Sequence, residues 1–312
     1  MMKLIEIDNY RYYDPLNESA RVVLNQMGET YTPEYISGIS GAAFKIAIGC
    51  PSRPTCVYDF WPADLLRLMG YEVEAYLCTD SDGNDITDKM IEAVKRQIDN
   101  GRTAIVWHAF RELEWDVVSG YDDETKQFIG KGTMWYDDYA KEPWDRAKTG
   151  EMSFGARLIG NKISTFNAGE AEIKSLEKAV AHGRKEKDSW DVEGIQAYKK
   201  WVEKYSNPGA DRDVADSYCY DTYSSGRKAA VIYLHGLAEK YGGDAATHLN
   251  AAADSFEIEV NELEKARPYI CWESPWGVNE ERSTHLALIL ANAAAAYEKG
   301  IGFIEKALEY LK

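Results

Sequence analysis

Polar and apolar positions alternate along short stretches of the first half of the chain, which is the pattern of β-strands. Residues 71–78, YEVEAYLC, have the period of a half-buried strand. The β-branched and aromatic runs 103–108 and 113–121 lie only a few residues apart, so we predict that they pair as a hairpin. Between the first two of these strands, the apolar positions of Met90–Ile98 predict a helix.

The second half of the chain is almost wholly helical in its pattern from about residue 169. Apolar stripes and turn signals predict helices through Ile173–Val180, Ile195–Tyr205 and Leu249–Leu263, and at roughly 213–240, 280–298 and 301–311. No repeat of fixed period is present, which favours a helical bundle over a solenoid. The boundary between the two halves is predicted near 150–170.

Length and charge limit the classes of partner. At ~150 residues per domain, 312 residues predict about two domains. The chain has 36 Lys and Arg against 52 Asp and Glu, a net charge of −16. Because such a chain repels phosphate backbones and anionic lipids, we expect no nucleic-acid and no membrane partner. The sequence leaves the oligomeric state open, including a homo-oligomer.

The five cysteines are scattered, and no signal-peptide core or long continuous apolar run is visible. This pattern is typical of a reduced cytoplasmic protein. Cys50 and Cys56 lie six positions apart, but no second ligand pair follows them, so no metal site is predicted. The chain also lacks a G-x-G-x-x-G, P-loop, G-x-S-x-G or H-E-x-x-H motif, so no cofactor is predicted.

Two stretches carry a family resemblance. Residues 113–132, LEWDVVSGYDDETKQFIGKG, resemble the central hairpin of papain-like cysteine peptidases of the bacterial leader-peptidase type. Residues 13–44 are similar to the opening of N-terminal domains of the butirosin-biosynthesis protein H type. The resemblance covers roughly 10–145. It implies an α+β fold, with a papain-like (cysteine-proteinase-like) N-terminal domain over 1–155 and a C-terminal α-helical bundle over 165–312.

The same alignment shows two departures from the family. Ser19 stands where the family has its nucleophilic Cys, and Glu114 stands where it has the general-base His. The third family position, which orients the base, falls on Asp137 or Asp138. Ser19 itself is predicted in the first or second turn of a helix that begins near Asp14, close to the positive end of the helix dipole.

His108 is the candidate to replace the missing base. In a hairpin that joins the two predicted strands it lies close to Glu114 across the ladder. Whether the two side chains share a face depends on the register, because a slip of one residue moves a side chain to the other face.

These observations support three hypotheses of function. In the first, the chain is not a working cysteine peptidase and binds a small amine- or peptide-like ligand between its domains, with the acidic charge favouring a cation. In the second, it is an acyl or amide transferase, or a hydrolase, with a rearranged site of Ser19, His108 and Glu114. In the third, it is a cysteine peptidase that uses Cys50 or Cys56.

Overall fold

The computed structural model describes residues 1–48, 62–133, 138–148, 154–185, 192–277 and 280–311. The helices are α1 Pro15–Gln26, α2 Pro33–Ser40, α3 Pro62–Leu68, α4 Thr87–Asp99, α5 Ala168–Gly183, α6 Gly194–Tyr205, α7 Val214–Tyr241, α8 Gly243–Ile270 and α9 Glu280–Leu311. The strands are β1 Met2–Leu4, β2 Ala47–Ile48, β3 Tyr71–Tyr76, β4 Ala104–Trp107, β5 Trp115–Asp122, β6 Gln127–Lys131, β7 Ala140–Pro143, β8 Ala156–Lys162 and β9 Val192–Glu193.

The chain forms two compact units. The first contains Met1–Ile36 and Tyr58–Asn167, and the second contains Ser37–Val57 and Ala168–Lys312. The first unit therefore includes β8, in the segment where sequence predicted the boundary. The second unit takes β2 from the N-terminal part of the chain, where it pairs with β9.

A seven-stranded antiparallel sheet forms the centre of the first unit. Its order is β3-β8-β4-β5-β6-β7, and β1 pairs with β5. The predicted hairpin is confirmed, since β4 and β5 pair antiparallel with Trp107 opposite Trp115. The apolar positions of α4 pack with Val106 and Val118 of the hairpin in one buried cluster. Helix α1 also packs against β4 and β5.

Long helices make up most of the second unit. Helices α7 and α8 have 28 residues each and α9 has 32. The sequence predicted a break near 299 within the last of these, and that prediction is wrong. Gly300 lies inside the continuous α9, and a Cβ there would lie 2.8 Å from the Phe256 ring of α8. This glycine serves close helix packing and ends no helix.

Mixed α+β architecture is therefore the fold class of this chain, with an antiparallel sheet in one unit and the C-terminal helices in the other. Within the described residues, Glu281–Leu311 contains an 18-residue window that is long and apolar enough to cross a membrane. Of this window, 39% is buried inside the protein. The core helices of soluble proteins meet the same criterion, so the window assigns no membrane location.

Candidate functional site

Ser19 lies in the second turn of α1, where the helix packs on the sheet. Asp14 caps this helix, because its carboxylate accepts from the backbone N–H of Asn17 at 3.2 Å, and Pro15 follows at the first position. The Ser19 side chain is 0% exposed. Its hydroxyl donates to the carbonyl of Leu16 at 2.9 Å. The hydroxyl is thus enclosed by protein and uses its proton within the helix.

Glu18, the neighbour of Ser19, forms a buried ion pair that the sequence reasoning missed. Its carboxylate accepts from Nε of Arg21 at 2.8 Å and from the backbone N–H of Arg11 at 2.5 Å. A second nitrogen of Arg21 donates to Asp8 at 3.1 Å. The spacing of Glu18 and Arg21, three residues apart on one helix face, is the sequence signal that could have predicted the pair.

His108 and Glu114 close the hairpin between β4 and β5. The backbone N–H of His108 donates to the carbonyl of Glu114 at 2.8 Å, so the two residues stand opposite each other. The imidazole Nδ1 accepts from the N–H of Leu113 at 2.9 Å, which leaves its proton on Nε2. Both side chains are buried. Burial, followed by the charge of Arg146, lowers the pKa of His108, so the ring is neutral at pH 7.

Asp116, a further residue missed by the sequence reasoning, supports this turn from inside. Its carboxylate accepts from the backbone N–H groups of Phe110 at 2.7 Å and Arg111 at 3.1 Å. Complete burial raises the pKa of Asp116 to about 7. Its other oxygen has no hydrogen-bond partner within the described part of the chain. Gly132 passes so close that a Cβ would lie 2.1 Å from that oxygen.

Tyr10 lies where the helix and hairpin groups meet. Its hydroxyl donates to the carbonyl of Trp115 at 2.9 Å in a fully buried setting. Burial, and then the charges of Asp116, Glu18 and Glu114, raise the pKa of Tyr10 well above its usual value. Carboxylates of α1 and of the β4–β5 hairpin therefore lie near the phenol of Tyr10, which stays protonated.

The other predicted candidates are either outside the described residues or exposed. Asp137 is outside the described residues, as are Cys50 and Cys56, and Asp138 is exposed. The three cysteines that the structure describes, Cys78, Cys219 and Cys271, are free and buried. Among the described residues, no group of three or more His, Cys, Asp or Glu side chains is placed to hold a metal ion.

A cavity of about 640 Å³ lies within the second unit, between the C-terminal half of α6 and the start of α7. This volume falls in the range of small-ligand sites. Its lining combines apolar and charged side chains, among them Ile48, Lys200, Trp201, Glu203, Lys204 and Asp213. No pattern in the sequence predicted this cavity.

Asp216 accepts hydrogen bonds from several side chains at the cavity. Its carboxylate accepts from Trp201 Nε1 at 2.9 Å and from the Tyr205 hydroxyl at 2.8 Å. Lys204 donates both to Asp216, at 2.5 Å, and to Asp213, at 2.9 Å. Although burial lowers the pKa of Lys204, the bonds to these two carboxylates raise it overall, so the lysine stays charged. Three of the charges in the cavity are thus matched internally.

Lys200 and Glu203 differ from these groups because both are exposed and lie one helical turn apart on α6. Neither forms an ion pair or side-chain hydrogen bond within the segments that the structure describes. The cavity therefore presents one cation and one anion to solvent beside the apolar side chains of Ile48 and Ala215.

Comparison with protein-family models and with curated proteins finds no match to this chain. The likeness to papain-like proteins over roughly 10–145 thus rests on the sequence motifs alone.

Proposed function

We propose that the chain is a cytoplasmic, papain-like protein that is not a working cysteine peptidase and binds a small amine- or peptide-like ligand in the cavity of its second unit. The observation that carries the binding proposal is the pair of opposite charges, Lys200 and Glu203, beside the apolar wall of that cavity.

The absence of peptidase chemistry is supported at both family positions. The nucleophile position holds Ser19, whose hydroxyl is buried and donates to Leu16. A serine also needs a general base, and the base position holds Glu114. A neutral His108 stands opposite Glu114, and its Nδ1 already accepts a hydrogen bond from Leu113. A thiolate–imidazole pair is therefore not part of this proposal.

The cavity supports a ligand with an ammonium and a carboxylate group. Glu203 can accept from the ammonium, and Lys200 can donate to the carboxylate one turn away. The side chains of Ile48 and Ala215, which also line the cavity, offer apolar surface to the rest of the ligand, and the buried Trp201 indole supports them. Lys204 is already paired with Asp213 and Asp216, so these three residues hold the shape of the cavity. The ligand is therefore recognised by the two unpaired residues, Lys200 and Glu203.

Isothermal titration calorimetry of the full chain with free amino acids, dipeptides and spermidine tests the binding proposal. We expect Glu203→Gln to weaken every ammonium ligand about tenfold. Lys200→Met is expected to weaken the zwitterions and leave spermidine unaffected. Glu257→Gln, an exposed position on α8, is the matched control. The proposal would be overturned if none of these probes binds, or if all variants bind them with equal affinity.

A second experiment tests the peptidase part separately. We expect no covalent labelling of Ser19 by a serine-directed fluorophosphonate, because the hydroxyl is enclosed. Labelling that is lost in Ser19→Ala would instead establish the transferase or hydrolase hypothesis.

A further inference from the structure

Two tryptophans stand exposed on the loop between α8 and α9. Trp272 is 40% exposed and Trp276 is 51% exposed. Their ring centroids lie 6.0 Å apart, with the planes at 90°. Tryptophan is among the most buried side chains on average, and exposed aromatic surface is typical of recognition sites. This pair lies outside the cavity described above, whose lining includes neither residue.

Buried arginines hold the loop in place. Arg212 donates to the carbonyls of Cys271 and Ser274, and its guanidinium lies 3.7 Å from the centroid of the Trp276 ring. Arg282 donates to the carbonyls of Pro275 at 2.7 Å and Gly277 at 2.6 Å. These bonds fix the backbone that carries both indoles. A surface ordered in advance loses less entropy on binding than a flexible one.

Polar groups border the two rings. The carboxylate of Asp221 accepts from the backbone N–H of Trp272 at 3.0 Å. Glu273 is exposed between the two indoles in sequence, and its carboxylate lies 3.8 Å from Arg267. Neither indole N–H of the pair has a hydrogen-bond partner within the described residues. The rim thus offers both donors and acceptors.

The charged groups around the pair are engaged within the protein. Arg212 and Arg282 donate to backbone carbonyls of the loop. Arg267 lies 3.8 Å from Glu273, and the carboxylate of Asp221 accepts from a backbone N–H of the loop. These charges already have partners inside the protein, and its net charge of −16 repels anions. The chemistry favours an uncharged ligand that has both a flat apolar face and many hydroxyl groups.

We propose that Trp272 and Trp276 form a binding platform for a neutral carbohydrate. A sugar ring presents a face of C–H groups, which packs on an indole, and an edge of hydroxyls, each of which both donates and accepts. The exposed part of each indole packs on the C–H face of a sugar ring, on the side of Trp276 that Arg212 does not cover, and Glu273 and the indole N–H groups bind the hydroxyls at its edge.

Calorimetric titration of the full chain with neutral hexasaccharides of glucose, mannose, xylose and N-acetylglucosamine tests the platform. We expect at least one to bind, and Trp272→Ala to weaken it at least tenfold. Trp272→Phe, which keeps a flat ring, should recover part of the affinity. Tyr310→Ala removes another exposed aromatic side chain and should have no effect. Lys200→Met, in the cavity, should likewise have none, which separates this proposal from the previous one.

Several outcomes would overturn the platform. One is that no hexasaccharide binds, and another is that binding is unchanged in Trp272→Ala. Binding of a proline-rich peptide in place of any sugar, lost in Trp272→Ala, would assign the pair to a peptide. A dimer in sedimentation that Trp272→Ala dissociates would assign it to a second copy. Because Trp276→Ala also removes the ring stacked on Arg212, Glu273→Gln serves as the second variant, with an expected weakening of a few-fold.

Discussion

Arg227 donates from Nε to the carboxylate of Glu259 at 2.8 Å, and neither side chain has any exposed surface. The same guanidinium donates to the backbone carbonyls of Ala43 at 2.6 Å and Lys45 at 3.0 Å. One buried cation thus joins α7, α8 and the segment before β2. This arrangement explains why part of the N-terminal half of the chain belongs to the second unit.

Removal of this cation is expected to destabilise the protein strongly. Arg227→Ala leaves the Glu259 carboxylate buried without its counter-ion, which costs about 3 to 5 kcal/mol. The next residue provides the control, because Lys228 pairs with Glu264 at the surface and Lys228→Ala should cost at most about 1 kcal/mol. Urea unfolding followed by circular dichroism measures both. Equal losses in the two variants would show that the buried pair contributes no more than the exposed one.

Asp116 gives the stability of the protein a specific pH dependence. Its pKa is about 7 in the folded protein and near 3.8 in the unfolded chain. Between these values the folded protein holds a proton that the unfolded chain has released. The free energy of unfolding therefore falls as the pH rises from about 4 to 7, by roughly 4 kcal/mol from this group.

Asp116→Asn is expected to remove that contribution. Relative to the parent, the variant should gain stability steadily as the pH rises through the same window, since the amide does not titrate. Unfolding in urea at four pH values across the window measures the slope, with Asp82→Asn, at an exposed turn, as the control. A variant whose slope matches that of the parent would show that Asp116 titrates as an ordinary exposed carboxylate.

Two glycines in helices are expected to respond oppositely to the same substitution. A Cβ at Gly38 of α2 would lie 2.3 Å from the Tyr233 ring, whose hydroxyl is held by Ser175 at 2.9 Å. Gly38→Ala should therefore cost about 1 to 3 kcal/mol. Gly236 of α7 is exposed with no atom near its added Cβ, so Gly236→Ala should gain about 0.5 to 1 kcal/mol. Thermal unfolding compares them, and a loss at both positions would contradict the packing argument.

The rate at which a cysteine at position 19 is alkylated measures how accessible the start of α1 is to reagents. In Ser19→Cys the new side chain occupies a site with 0% exposure, so we expect iodoacetamide to alkylate it far more slowly than an exposed thiol. Ser206→Cys, at the exposed C-terminal end of α6, is the reference. Peptide mass spectrometry separates the new cysteine from the native ones. Comparable rates would mean that reagents reach the start of α1.

Strands β3, β4 and β5 could be predicted from sequence because their alternation and their hairpin are local features. Strand β8 was not predicted, since its partners β3 and β4 lie far away along the chain. Only the tertiary pairing identifies it as a strand. The break predicted near 299 failed for a similar reason, because Gly300 was interpreted by its propensity while its role depends on Phe256 of another helix.

The site, too, could be predicted only in part, because its geometry depends on contacts between segments that are distant in the sequence. Ser19 and Glu114 were named from motif spacing, but their burial follows from how α1 packs on the sheet. The role of Asp116 depends on the path of the turn at Phe110, which no pattern in the sequence encodes. Near the cavity, the spacing of Asp213 and Asp216 in the sequence is that of a helix cap. That spacing predicts the start of a helix, but it does not predict a cavity beside the helix.

Arg212 and Asp213 are consecutive residues with different surroundings. The first stacks on Trp276, and the second lines the cavity and holds Lys204. A ligand in the cavity that moves the backbone at Asp213 therefore also moves the arginine that stacks on the indole. Occupancy of the two sites would be thermodynamically linked across a single peptide bond. Each ligand would then change the affinity for the other by the same factor.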